Sequence, residues 1–197
     1  MSSQISRRDV LKNLAVSAAA TSVLRVIPAH AAEMAHHMIA AEKAASKAYT
    51  PKFFLAHDYK TLQSLCGTII PADSDSAGAV EAGAPEFIDL LTSENPDYQV
   101  KLGGGLMWLD SRCSDDYEKS YLDCSPNQQK EILDKIAYRR NAIADHSLEQ
   151  GVAFFSFLRD MTADGFFTSK IGIQYLGYIG NTFVKGDFPG CPPVPEA

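Results

Sequence analysis

The sequence predicts an all-α fold: a small helical domain with an irregular C-terminal extension rich in Gly, Pro and aromatic residues. Three observations carry this reading. Apolar residues recur at helical spacing in several separate windows. Two helix starts carry a Ser followed three residues later by Gln, the pattern of a capping box. No window shows the strict alternation of a half-buried strand, and no internal repeat is found. With 197 residues the chain is long enough to bury one sizeable core.

Residues 1–31 have the three parts of a signal peptide. Arg7, Arg8 and Lys12 make a charged start, Leu14 to Leu24 a mild apolar run, and Ala29-His30-Ala31 an A-x-A cleavage site. The apolar run is too short to span a bilayer, which takes about 20 residues. "SRRDVLK" resembles the twin-arginine translocation signal, with Val10 where that motif prefers Phe. Arg25, late in the signal, fits the same route. The alternative is an ordinary secretory signal with a chance arginine pair. Either route leads to the periplasm, and the twin-arginine route implies its translocation machinery as a partner. The whole chain carries a net charge of −6. Cleavage removes four basic side chains (Arg7, Arg8, Lys12, Arg25) and one acidic (Asp9), leaving −9. That balance argues against nucleic acid and anionic lipid as partners. Any membrane association must then run through another protein, since no second apolar run suits a transmembrane helix.

Residues 32–56 are Ala-rich and carry little bulky apolar surface, so they are expected to form a mobile or partner-dependent arm. The main domain is expected over 57–197. Leu62, Leu65, Cys66, Ile69 and Ile70 mark a helix from about His57 to Ile70, stopped by Pro71. "PADSDSAGAVEAGAP" is a loop, and Pro85 suits the first turn of a helix carrying Phe87, Ile88, Leu90 and Leu91. Asn95-Pro96 breaks it, and a further apolar segment covers Tyr98–Leu109, weakened by Gly103-Gly104-Gly105. Ser125, Pro126 and Gln128 start a helix with Ile132, Leu133 and Ile136 on one face. Ser147 with Gln150 repeats the box before Phe154, Phe157, Leu158 and Met161, with Gly165 expected to close that helix. From Phe166 onward the chain is expected to be mostly irregular.

A search for chemistry returns little. Glu33-Met34-Ala35-His36 is a single E-x-x-H pair, whereas di-iron bundles need two copies and further carboxylates. A stand-alone metal-dependent enzyme would have to draw on His36, His37 or His146. His146 follows Asp145 in a loop, but no G-x-S-x-G supplies a nucleophile. "KLGGGLMW" lacks the spacing of a dinucleotide loop, because Trp108 stands where the third Gly is needed. Helix flexibility or close helix packing accounts for that run better. There is no C-x-x-C, so zinc, haem-attachment and iron–sulfur patterns are unsupported. Cys66 reads as a buried thiol on an apolar face. Cys113 and Cys124 bracket a short polar stretch and are candidates for a disulfide in an oxidising compartment. Cys191, in "PGCPP", is a candidate intersubunit thiol. No catalytic, cofactor-binding or metal residues are expected.

Phe166, Phe167, Tyr175, Tyr178 and Phe183 lie in a glycine-rich segment with little power to bury them. Either the tail folds back to seal the helices, or these aromatics form a partner interface. As a stacking platform they would also suit a sugar-binding module.

The blocks "FF", "LRDMT", "GFFTS" and "LGYIGN" between Phe154 and Asn181 are similar to the gluconate 2-dehydrogenase subunit 3 family. "CPP" at Cys191, "TLQSLCGTIIPADSDSAGAVEAGAPEFIDLLT" and "SPNQQKEILDKI" extend the resemblance over about Tyr59 to Pro193. It implies a small accessory subunit without chemistry of its own. The implied partners are a large FAD-binding dehydrogenase subunit, oxidising gluconate or a related sugar or polyol, and a cytochrome subunit carrying haem c. The resemblance carries over no catalytic residue.

Overall fold

A computed structural model of the chain describes residues 29–46, 48–74, 76–178 and 180. Arg7, Arg8, Phe183 and Cys191 lie outside the described residues. The fold is all-α, and among the described residues there is no strand. The helices are α1 (Ala29–Ser46), α2 (Ala56–Ile69), α3 (Ala84–Glu94), α4 (Gly104–Tyr117), α5 (Pro126–Ile136), α6 (Arg139–Ala144), α7 (Glu149–Phe167) and α8 (Lys170–Tyr175).

Helix α3 is the centre, with α7, α1 and α2 packed around it. Every residue from Ala84 to Thr92 is buried, as expected of a helix enclosed on all sides. Pro85 sits in its first turn, where a missing N–H costs nothing. Asn95 ends it and starts the next turn, Pro96–Tyr98: its Oδ1 accepts from Asp97 N at 2.9 Å and from Tyr98 N at 3.4 Å. The chain then winds through a π-helical turn, Gln99–Gly103, directly into α4. Gln99 ties this turn back to α3, donating to the carbonyls of Thr92 and Ser93 at 3.1 and 3.3 Å.

Close packing explains Gly105, the last of the glycine run. A Cβ on Gly105 would lie 2.0 Å from the Phe154 ring, and one on Gly151 would lie 2.3 Å from the Trp108 indole. Each of α4 and α7 thus offers a glycine to an aromatic ring of the other. The predicted capping box at α5 is formed: Gln128 N donates to Ser125 Oγ at 3.4 Å, and Ser125 N to Gln128 Oε1 at 2.9 Å. Ile132, Leu133 and Ile136 are buried on its inner face.

Several expectations are corrected. The second capping box does not form. Asp145 instead accepts from Ser147 N at 2.9 Å and starts a 3-10 turn, His146–Leu148, ahead of α7. Gln150 turns outward to donate to the Gly104 carbonyl at 3.3 Å. Gly165 does not close α7 but sits inside it, where a Cβ would come within 3.1 Å of Ala84 and Phe87. The chain beyond Phe166 is not irregular at once, since it forms α8.

The arm differs most from expectation. Helix α1 lies along α3, with Ala32, Met34, Ala35 and Ile39 buried. Its small side chains allow close approach, and polar contacts fix it. Lys43 Nζ meets Glu86 Oε1 at 2.5 Å. His36 stacks on Phe87 with ring centroids 5.0 Å apart, and its Nε2 lies 2.9 Å from Thr168 Oγ1. The segment after α1 is held by Asp89, fully buried on α3. Its carboxylate accepts from Tyr49 Oη (2.8 Å), Lys52 N (2.6 Å), Phe53 N (3.1 Å) and Phe54 N (3.0 Å). A buried carboxylate with four donors avoids the cost of an unsatisfied charge. Ala29 and Ala31, the expected cleavage positions, fall in the first turn of α1.

Candidate partner interface

The C-terminal end of α7 and the short α8 create an apolar face. Ser169 makes the junction. Its Oγ donates to the Phe166 carbonyl at 2.6 Å and accepts from Gly172 N at 3.0 Å, capping α8 while ending α7. Gly172 brings α8 close to that turn, since a Cβ there would sit 2.0 Å from the Phe166 carbonyl oxygen. Gly177, at φ +64°, turns the chain after α8 in a conformation that side chains rarely adopt.

This geometry separates the expected aromatics. Phe166 is buried, which removes it from the candidate partner interface. It forms a floor on which Phe167 and Tyr175 rest edge-on, at centroid distances of 5.1 and 6.2 Å. Phe167 (41 %), Tyr175 (54 %) and Tyr178 (56 %) are exposed, as are Ile173 (37 %) and Leu176 (59 %). Sequence reasoning missed Ile173 and Leu176 because it took this stretch for irregular chain. The available signal was Ser169 as a cap, three residues before Gly172. Asp164, one turn before Phe167 on α7, has its carboxyl pushed up to about 6 by burial and by the neighbouring Asp160. Its charge therefore lacks good solvation at the edge of the face.

The histidines of the metal reading are dispersed. His36 packs against Phe87 and Thr168, and burial holds its imidazole below the ordinary value, with His37 adding to the effect. His37 faces solvent beside Glu33, at 3.9 Å. His146 is exposed in its 3-10 turn. Glu33 and His36 do not share a ligand position, since Glu33 points outward to His30 and His37. The one His-containing cluster of metal-ligand geometry among the described residues is different: His57, Asp58 and Asp110, with ligand atoms within 4.8 Å of one another. There His57 Nε2 lies 2.6 Å from Asp110 Oδ2, an ordinary imidazole–carboxylate pair.

A solvent-open cleft of about 660 Å³ lies between α1 and α3, lined by residues such as Met38, Glu42, Tyr49, Lys52 and Leu90. The described tail aromatics do not line it. Cys66, Cys113 and Cys124 are buried thiols. Burial raises the Cys66 thiol to about 12, and its Sγ lies 3.5 Å from Thr162 Oγ1.

Residues 56–190 match the protein family described as gluconate 2-dehydrogenase subunit 3. The chain belongs to this family. The match takes in α2 to α8 and so the whole apolar face, while α1 and most of the segment clamped by Asp89 lie before it. By that description a subunit 3 chain is part of a gluconate dehydrogenase complex, which fits an interface better than a self-contained active site. Neither the curated proteins nor the solved structures yield a match. No described helix of this subunit 3 chain is long and apolar enough to cross a membrane.

Proposed function

We propose that the chain is the non-catalytic accessory subunit of a periplasmic flavoprotein dehydrogenase complex. Its large partner binds FAD and oxidises gluconate or a related sugar or polyol. A cytochrome subunit with haem c passes the electrons on. The family match over residues 56–190 carries this reading. The exposed face of Phe167, Ile173, Tyr175, Leu176 and Tyr178 supports it, since apolar clusters rich in aromatics suit the centre of a protein interface. Asp164, one turn before Phe167, stands at the edge of that face, so the partner surface should present Arg or Lys at its rim.

The accessory role has two parts. Docking stabilises the large subunit by mass action, because the partner binds its folded form. The second part is export. On this reading the flavoprotein acquires its cofactor before crossing the membrane and so crosses folded. Arg7-Arg8 on this chain then serves as the address for both subunits. Purification of the chain with its native partners tests the proposal, with flavin absorbance as the readout.

A further inference from the structure

Two residue pairs of equal span lie between α4 and the chain that follows it, one of them hydrogen-bonded. Asp110 Oδ1 on α4 accepts from Tyr121 N at 2.9 Å, eleven residues on. Three residues further along each segment stand Cys113 and Cys124, again eleven residues apart. Cys113 lies one helical turn after Asp110 and so on the same face of α4. The intervening 3-10 turn, Tyr121–Asp123, is held in register from both sides. Gln129 Nε2 donates to the Tyr121 carbonyl at 2.8 Å, and Cys124 N to the Ser120 carbonyl at 3.2 Å. Both thiols are buried within the same core, where Cys124 neighbours Cys113. Cys66 stands apart, against Thr162.

We propose that Cys113 and Cys124 close an intramolecular disulfide, a covalent counterpart to the Asp110–Tyr121 hydrogen bond. The inference uses the export reading above only to say where the oxidant is met. The oxidant is itself a disulfide, either glutathione disulfide or a dithiol protein in its oxidised form. One cysteine thiolate attacks a sulfur of that disulfide and forms a mixed disulfide, displacing a thiolate. The second cysteine thiolate then attacks the first cysteine's sulfur and releases the other half of the oxidant. Two electrons and two protons pass from the cysteines to the oxidant, which ends as two thiols. Burial and the neighbouring Cys124 raise the Cys113 thiol, so little thiolate exists in the folded reduced chain. Closure is therefore fast while the chain folds and slow once α4 and the 3-10 turn have packed.

The test uses the full chain, made reduced and refolded in glutathione buffers of graded redox ratio. Alkylation under denaturing conditions and peptide mapping then locate the bridge. The expected product lacks two hydrogens in the peptides carrying Cys113 and Cys124 and leaves Cys66 alkylated. Its thermal midpoint should exceed that of the reduced chain by roughly 5–10 °C. The double variant Cys113→Ala/Cys124→Ala should lose all sensitivity of its midpoint to reductant. A product bridged through Cys66, or no closure at any glutathione ratio, would overturn the proposal. The same mapping on chain isolated from its own cells separates the two readings. An oxidised pair supports both, whereas a reduced pair that closes readily in glutathione overturns export to an oxidising compartment and leaves the bridge standing.

Discussion

The Tyr49 hydroxyl donates to the buried carboxylate of Asp89 at 2.8 Å, across 40 residues of chain. Three backbone N–H groups, from Lys52, Phe53 and Phe54, converge on the same carboxylate. The link fastens the N-terminal segment to the central helix. Asp89→Ala strands all four donors, and the expected loss is about 2–4 kcal/mol in urea unfolding. Tyr49→Phe removes one donor and should cost about 1 kcal/mol. Limited proteolysis near residues 48–55 should quicken in the first variant much more than in the second. Equal stability of Asp89→Ala and the parent would remove the clamp from the account.

The contact between α1 and the body should be acid-sensitive through His36. Burial against Phe87, and then the neighbouring His37, hold its imidazole below the ordinary value. As pH falls, the unfolded chain takes up this proton before the folded chain does. The contribution of His36 is therefore complete above the ordinary histidine pKa of about 6.5 and is lost as pH falls through and below it. Replacing His36 by Leu should flatten that part of the stability profile, measured by urea unfolding from pH 7.5 down to 5. An unchanged slope would show that the ring is not a desolvated titrating group.

Asp164 works in the opposite sense. Its carboxyl is raised to about 6 by burial first and by Asp160 second. The folded chain therefore binds this proton first as pH falls, and the penalty is full only above about pH 6. Asp164→Asn should stabilise the isolated chain at neutral pH and have little effect below the ordinary Asp pKa of about 4. Asp164 is only partly buried, so the gain should not exceed about 1 kcal/mol. A basic rim on the partner would reverse the sign in the complex, where the Asn variant should bind more weakly.

The two glycine contacts between α4 and α7 leave no room for a side chain. Gly105→Val or Gly151→Val should each cost about 2–3 kcal/mol or more through overpacking against Phe154 or Trp108. A smaller ring partner, Phe154→Leu, should recover part of the Gly105→Val loss in a double-mutant cycle. Additive losses would mean that the ring is not what the valine meets.

The face on α7 and α8 separates stability from association. Tyr175→Ser combined with Leu176→Ser changes exposed side chains and should leave the thermal midpoint nearly unchanged, within about 0.5 kcal/mol per site. It should release the partner during purification. Phe166→Ala, by contrast, empties a buried site and should cost about 3–5 kcal/mol. Partner retention by the Tyr175/Leu176 variant would move the interface elsewhere.

Replacing Arg7 and Arg8 by Lys tests shared export. The flavoprotein should then stay in the cytoplasm together with this chain. Normal export of the flavoprotein in that variant would limit the signal to this chain alone.

Local signals were the legible ones. Ser125, Pro126 and Gln128 announced α5, and Leu62, Leu65 and Cys66 announced the inner face of α2, because capping and periodicity act within a few residues. What stayed hidden depends on partners far along the chain. Asp89, in "EFIDLL", carries no local sign of its role, because its donors come from 35 to 40 residues upstream. Gly105 and Gly151 gain meaning only from rings on the facing helix. The Ala-rich α1 looked too poor in apolar surface to dock, yet small side chains and the Lys43–Glu86 pair hold it against α3. On the candidate interface, the sequence leaves open whether the tail aromatics seal the helices or face a partner, and Phe167, Tyr175 and Tyr178 are exposed. Phe166 parts from them because α7 runs past Gly165, which turns one ring of the Phe-Phe pair inward and the other outward.

Purification of this chain from the cells that make it, under mild conditions and with a visible spectrum of the eluate, tests the central claim most directly. A larger flavin-containing chain should co-elute in fixed ratio and be lost when Tyr175 and Leu176 are replaced by Ser. Elution as a lone chain with no flavin absorbance would contradict the account.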